Sequence, residues 1–262
     1  MEHVLITGST RGIGFGLAQR FIEAGLIVTI NGTTSTGVET AIDELRLNYP
    51  AASVQGYVCD VSNYSEVEKL WEKAVNQFGN IDLWINNAGI DQSRMLVWEM
   101  NETEISQIVD TNIKGVINGS TVAFSKMMIQ GSGQIFNMEG FGSDGMTMKK
   151  MTLYGTTKRA VQYFTHSLAK EASNTTIKVG TLSPGMVLTD ILLKSLKSNT
   201  DEAISNKKVF NILADTVETV TPFLCNKMLK NTKNNAHIKW LTKSKVMARF
   251  LQSVFFKRKL IN

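Results

Sequence analysis

The sequence has 262 residues, 43% of them hydrophobic and 19% charged, an ordinary globular composition with enough chain for one substantial core. No stretch reaches the roughly 20 apolar residues that span a bilayer, and the first strand-like run starts almost at Met1, leaving no room for a signal or transit peptide. The two cysteines, Cys59 and Cys225, build no disulfide framework and fit a reducing compartment, so a cytoplasmic protein is expected. The net charge of +5 is uneven: residues 227–262 hold ten Lys or Arg and no acid. Such asymmetry points to an anionic surface or partner near the C-terminus, while no motif places the chain in a nucleic-acid groove.

Strand-like and helix-like segments alternate from the start. Val4–Thr7 reads as a strand, Ile13–Ala24 as a helix, Leu26–Ile30 as a strand, and Thr36–Asn48 as a helix that ends ahead of Pro50. Val54–Cys59 and Ile81–Ile85 are further strands, with a helix over Tyr64–Phe78 between them. A long helical stretch around Glu102–Ile129 precedes the strand Gln134–Met138; the helix Thr152–Ala172 and the strand Ile177–Leu182 follow. After Thr189 the rhythm fades into helical pieces. Strands separated by helices imply right-handed crossovers, so the expected fold is a single-domain, Rossmann-like α/β protein with a doubly wound parallel sheet. Residues 190–262 are expected to form a lid and a basic C-terminal extension.

The first strand runs into Gly8-Ser9-Thr10-Arg11-Gly12-Ile13-Gly14. Glycines let the backbone turn sharply against a pyrophosphate, and the following helix offers free N–H groups and a positive dipole end. Strand, glycine turn and helix together point to a dinucleotide. The second strand ends in Asn31-Gly32-Thr33-Thr34, without the acid that would bind a ribose 2′-hydroxyl and repel a 2′-phosphate. Arg11 supplies positive charge, and Thr33 and Thr34 can donate to phosphate, so the expected cofactor is NADPH/NADP+.

The glycine spacing, Asn86-Asn87-Ala88-Gly89, Tyr154-x-x-x-Lys158 and Ser183-Pro184-Gly185-Met186-Val187-Leu188-Thr189 together resemble the short-chain dehydrogenase/reductase family over about residues 1–190. The chemistry agrees. Residues four apart share a helix face, and an ammonium beside a phenol of pKa ~10 favours phenolate. Tyr154 is then the proton donor or acceptor and Lys158 its tuner; by resemblance Lys158 also holds the nicotinamide ribose. The resemblance makes Asn112 the anchor of a proton-relay water, or else an Asn that satisfies buried backbone. It sets Asp60 and Val61 beside the adenine, Asn87 and Gly89 on the adenosine side, and Val187 and Thr189 toward the carboxamide, with Ala88, Pro184 and Gly185 also binding the cofactor. Asp60 could equally cap a helix.

The family's serine is missing. Its place falls on Glu139 or Gly140, and Ser143, eleven residues before Tyr154, could swing in as the catalytic serine. A Glu in the pocket could orient a substrate or chelate a metal on it. The segments Ile135–Gly145 and Leu182–Leu193, with Asn211–Asp215 and Ile238–Thr242, resemble the chlorophyll(ide) b reductase subgroup, which turns a 7-formyl into a hydroxymethyl group. With no transit peptide seen, a bacterial-type relative is implied. The expected partner is a small hydrophobic carbonyl or alcohol, and family resemblance implies a homodimer or homotetramer. The alternatives are a reductase of smaller lipophilic substrates or a non-catalytic NADPH sensor. Trp98, Met95, Phe141, Met146 and 188–196 are expected to form an apolar lid. Apolar residues from Trp240 to Phe256 fall at helical spacing among cations, which suits either peripheral membrane contact or packing on a subunit. The three histidines, His3, His166 and His237, read as isolated, with no metal cluster.

Overall fold

The computed structural model describes residues 2–189, 208–256, 258 and 260. Seven strands form one parallel sheet: β1 (His3–Ile6), β2 (Ile27–Gly32), β3 (Val54–Val58), β4 (Leu83–Asn86), β5 (Gly133–Met138), β6 (Ile177–Ser183) and β9 (Ala236–Lys239). Their order is β3-β2-β1-β4-β5-β6-β9, with a separate parallel pair of β7 (Val187–Leu188) and β8 (Asp215–Thr216). The helices are α1 (Gly12–Glu23), α2 (Ser35–Asn48), α3 (Tyr64–Phe78), α4 (Glu102–Val109), α5 (Gly115–Gln130), α6 (Thr152–Glu171), α7 (Val217–Leu229) and α8 (Lys243–Phe255).

Alternation along β1 shows why the sheet is covered on both faces. Val4 and Ile6 pack into a core with Leu17 and Phe21 of α1 and with Val220 and Leu224 of α7. Leu5 points the other way, into a core with Val67, Leu70 and Trp71 of α3 and Val122 of α5. Trp71 stacks on Trp84 at 5.8 Å in this second core. Cys59 and Cys225 are buried and free, and burial pushes both thiols up to about 12.

Three readings change. The long helix splits where Asp110–Lys114 forms a π-helical turn between α4 and α5. Residues 190–262 are more than lid and tail: β9 pairs with β6 and extends the sheet, and α7 packs on α1. The strand is short and its backbone partner lies over fifty residues away, so local pattern does not announce it. Of the expected lid, Trp98 and Met146 are exposed, while Phe141 and Thr189 line the cleft; residues 190–196 lie outside the described residues.

A buried polar network ties α6 to the sheet. Asn86 Nδ2 donates to Asn137 Oδ1 at 2.8 Å and to Ser120 Oγ, and Asn137 Nδ2 donates to Thr165 Oγ1 of α6 at 2.9 Å. Every link is made, so the network locks α6 against β4 and β5.

Candidate active site

A cleft of about 1110 Å³ opens at the C-terminal ends of the strands. In doubly wound sheets the crevice lies there, where strand order reverses, here between β1 and β4. The glycine turn forms one wall. Gly8 has φ +58°, and a Cβ on it would lie 2.6 Å from Ala88 Cα, so the β1 and β4 loops touch only because no side chain intervenes. Arg11 stands at the N-cap of α1 without a side-chain cap, which leaves the first-turn N–H groups for an anion. A Cβ on Gly12 would meet Thr189 at 3.5 Å, so the β7 loop closes over the turn. This cradle fits a dinucleotide pyrophosphate.

Most of the expected cofactor residues line this cleft: Gly8, Thr10, Arg11, Gly12, Ile13, Thr33, Thr34, Asp60, Val61, Asn87, Ala88, Gly89, Pro184, Gly185, Val187 and Thr189. Ser9 and Gly14 do not. Ser9 is buried, donates to Ile6 O at 2.6 Å and accepts from Asn31 N at 2.9 Å, so it builds the turn. A Cβ on Gly14 would lie 2.5 Å from Asn87 Nδ2, so Gly14 serves close approach. Thr33 and Arg11 are exposed at the rim, and Thr34 also caps α2 by accepting from Gly37 N. Asp60 lines the cleft and accepts from Ser62 N in a local turn, but it caps no helix, because Asn63 is the N-cap of α3. Thr36 and Thr40 also line the cleft, and no sequence signal set them apart from solvated α2 positions.

Tyr154 and Lys158 both line the same cleft. Lys158 Nζ lies 5.7 Å from the Tyr154 ring centre and donates to Met138 O at 3.2 Å. Burial pushes the phenol well above its ordinary range, Asp91 adds to this, and Arg94 opposes it. Burial also pushes the Lys158 ammonium down to about 8, against the pull of Glu139 and Asp91. The expectation that Lys158 alone would favour phenolate is thus outweighed by burial in the protein without nucleotide.

Asn112 sits fully buried in the π-helical turn. Its amide donates to Ile90 O at 2.8 Å and to Thr157 Oγ1 at 3.2 Å, while its carbonyl accepts from Ile90 N at 2.8 Å. The side chain therefore clamps the segment after β4 to α6. Gln92, which sequence reasoning missed, accepts from Tyr154 N at 2.7 Å and donates to Lys150 O, capping α6 from outside. Its signal is invisible locally because the cap lies 62 residues away.

Ser143 does not join this group. It is buried, does not line the cleft, and its hydroxyl faces Glu139 Oε2 at 3.5 Å. The backbone beside the Tyr154 hydroxyl belongs to Gly140, where a Cβ would lie 2.5 Å from that oxygen. His237 is not isolated either: its Nε2 lies 3.1 Å from Glu139 Oε2.

Comparison with known proteins agrees with this geometry. Residues 2–200 match the family model described as short chain dehydrogenase. The chain is similar to a probable chlorophyll(ide) b reductase NYC1, chloroplastic, of Arabidopsis thaliana, at 36% identity over 96% of this chain and 53% of that protein. It is similar to the chlorophyll(ide) b reductase NOL, chloroplastic, of Oryza sativa subsp. japonica, at 35% identity over 97% of this chain and 75% of that protein. The chain thus spans about half the length of NYC1. Among solved structures, ElxO with NADP bound superposes with a TM-score of 0.79 at 28% identity, covering 94% of this chain and 99% of that one. The expectation of a bacterial-type, cytoplasmic protein is overturned by the plant relatives, which are chloroplastic proteins. With its sheet order, its glycine cradle, its Tyr154/Lys158 pair and these matches, the chain belongs to the short-chain dehydrogenase family.

Proposed function

We propose that this protein is an NADP(H)-dependent reductase of a carbonyl on a bulky hydrophobic substrate, with the 7-formyl group of chlorophyll b, reduced to 7-hydroxymethyl, as the leading candidate. The observation that carries the reading is the meeting of Tyr154, Lys158 and the glycine cradle in one cleft. The cofactor is NADP(H): no acid ends β2, and Arg11, Thr33 and Thr34 line the cleft and would hold a 2′-phosphate. When bound, the reduced nicotinamide supplies hydride to the carbonyl carbon. Tyr154 gives its proton to the carbonyl oxygen, and its raised proton affinity keeps it in the acid form that reduction needs. Lys158 stabilises the phenolate left behind and holds the ribose. Asn112 clamps the segment after β4 to α6, a positioning role that stands beside the relay-water role the resemblance implies.

The substrate end carries Ile90, Phe141, Met148, Met151, Met186 and Phe210, which suits a large apolar ring system. Along α8, Met247, Leu251, Val254 and Phe255 form an exposed stripe within the basic C-terminal segment, a face suited to peripheral contact with an anionic lipid surface. Residues 208–256 complete the single domain, and the assembly is a homodimer or homotetramer.

The test is NADPH oxidation by the purified protein with an aldehyde panel that includes chlorophyll b and chlorophyllide b. Turnover of the formyl pigment is expected, with Tyr154→Phe losing about 10²- to 10⁴-fold while keeping NADPH affinity. Turnover of smaller lipophilic aldehydes alone would remove the pigment from the reading. Tight NADPH binding without turnover of any aldehyde would make the protein a nucleotide sensor.

A further inference from the structure

Glu139 follows directly on β5, at one of the two positions on which the family's serine falls, and its side chain is almost fully buried. Strand register explains where it goes. Asn137 pairs with Thr181, and Thr181 with His237, so these residues share the sheet face that α6 covers. Glu139 lies two residues beyond Asn137 on the same face and reaches across β6 to the edge strand β9. There His237, 38% exposed, brings Nε2 to 3.1 Å from Glu139 Oε2, a distance at which an imidazole N–H donates to the carboxylate.

The carboxylate is otherwise sparsely served. Ser143 Oγ is a marginal donor at 3.5 Å, and Oε1 is buried with no hydrogen-bond partner among the described residues. Arg159, on the same helix as Lys158, is spent on Ser143 O and Gln162. A buried carboxylate with empty acceptor positions is costly unless a cation stands near it. The nearby cation is Lys158: among the described residues it makes no direct bond to the carboxylate, but its Nζ bonds the carbonyl of Met138, the residue before Glu139, and it lies within the field of the Glu139 charge. The charged groups that face Lys158 are Glu139 from the end of β5 and Asp91 from the loop after β4. Burial lowers its proton affinity, and Glu139 is the larger of the two charges that restore it.

We propose that Glu139, clamped from the sheet edge by His237, is a positioning residue that keeps Lys158 charged beside Tyr154. It stands next to Gly140, whose backbone lies beside the Tyr154 hydroxyl, and it acts through Lys158 and not on the substrate oxygen. The inference deepens the reductase reading and rests on it for the role of Lys158.

The test is a direct titration of Lys158 in the full chain without nucleotide or substrate, by NMR of lysine labelled with ¹⁵N, with Lys158→Arg assigning the signal. Glu139→Gln preserves the shape and removes the charge. Its expected effect is at least about a threefold loss in the proton affinity of Lys158, with an equal downward move of the alkaline limb of kcat/KM for any aldehyde turned over. His237→Gln, which keeps the carboxylate but loosens its clamp, is expected to move the same midpoint in the same direction, and it serves alone if Glu139→Gln does not fold. An unchanged Lys158 midpoint in the folded variant overturns the proposal. Because the titration needs no substrate, that result leaves the reductase reading intact, and absence of turnover leaves the titration readable.

Discussion

The nucleotide wall and the C-terminal quarter hold opposite ends of the same sheet by different means. From β1 to β2 the ties are short: Ser9 Oγ bonds Ile6 O, Asn31 N bonds Ser9 Oγ, and Gly8 N donates to Asn31 Oδ1 at 3.1 Å. In residues 208–260 the ties are long. Asp215 accepts from Trp240, Arg249 and Arg258, and Asn234, just ahead of β9, reaches back to Val179 N and Ala169 O. The first region is built from backbone geometry that a few glycines permit. The second is built from charged and polar side chains that meet only after the sheet has formed. A substitution in the first should therefore act on ligand binding through local shape, and one in the second on stability through lost pairing.

The largest expected effect follows from Gly8→Val. The site combines φ +58° with a backbone neighbour 2.6 Å from the new Cβ, and neither can yield cheaply. NADPH affinity should fall by about 100-fold or more, about 2.7 kcal/mol, as read by fluorescence titration. A variant that binds normally would show that the turn has slack and would blur the contrast between the regions.

Asp215→Asn probes the other region. Burial pushes this carboxyl up, but hydrogen bonds from Trp240, Arg249 and Arg258 outweigh burial and hold it below its ordinary range. A carboxyl depressed on folding contributes stability above its unfolded pKa and loses it as pH falls through the folded value. Removing it should cost about 3 kcal/mol at pH 7 by leaving two arginines without their shared anion. The difference between variant and parent should shrink in acid, below the ordinary carboxylate range. Chemical denaturation at pH 7 and in acid checks both statements, and a constant difference at all pH values would remove the ion pairs as its cause.

The smallest effect is expected at the rim of the nucleotide wall. Thr33→Asp sets an anion where a 2′-phosphate would lie, so NADPH affinity should fall by about tenfold, with NADH unchanged or improved. Equal loss for both nucleotides would mean a structural effect of the substitution and would weaken the NADP(H) assignment.

Much of the site was readable before any coordinates. Strand–glycine–helix, Tyr154 with Lys158, and the Pro184–Thr189 segment are each local patterns, and they converge on one cleft. Three things were not readable. Gln92 caps α6 from 62 residues away. Ser143 and Glu139 are four residues apart, yet only the path of the loop shows that the Ser143 hydroxyl turns to the Glu139 carboxylate, that this carboxylate turns to His237, and that Gly140 lies beside the Tyr154 oxygen. His237 read as isolated because its partner is 98 residues away.

By itself the sequence determined the alternating α/β order, the phosphate turn and the spacing of the proton donor and its lysine. Each depends on periodicity or on backbone freedom within a few residues, and those act at short range. Only the tertiary structure decided that β9 extends the sheet, that burial raises the proton affinity of Tyr154 while lowering that of Lys158, and that Glu139 is paired at the sheet edge. Those outcomes depend on which distant groups are brought together and on how much water is excluded between them, and neither is written in any local stretch of the chain.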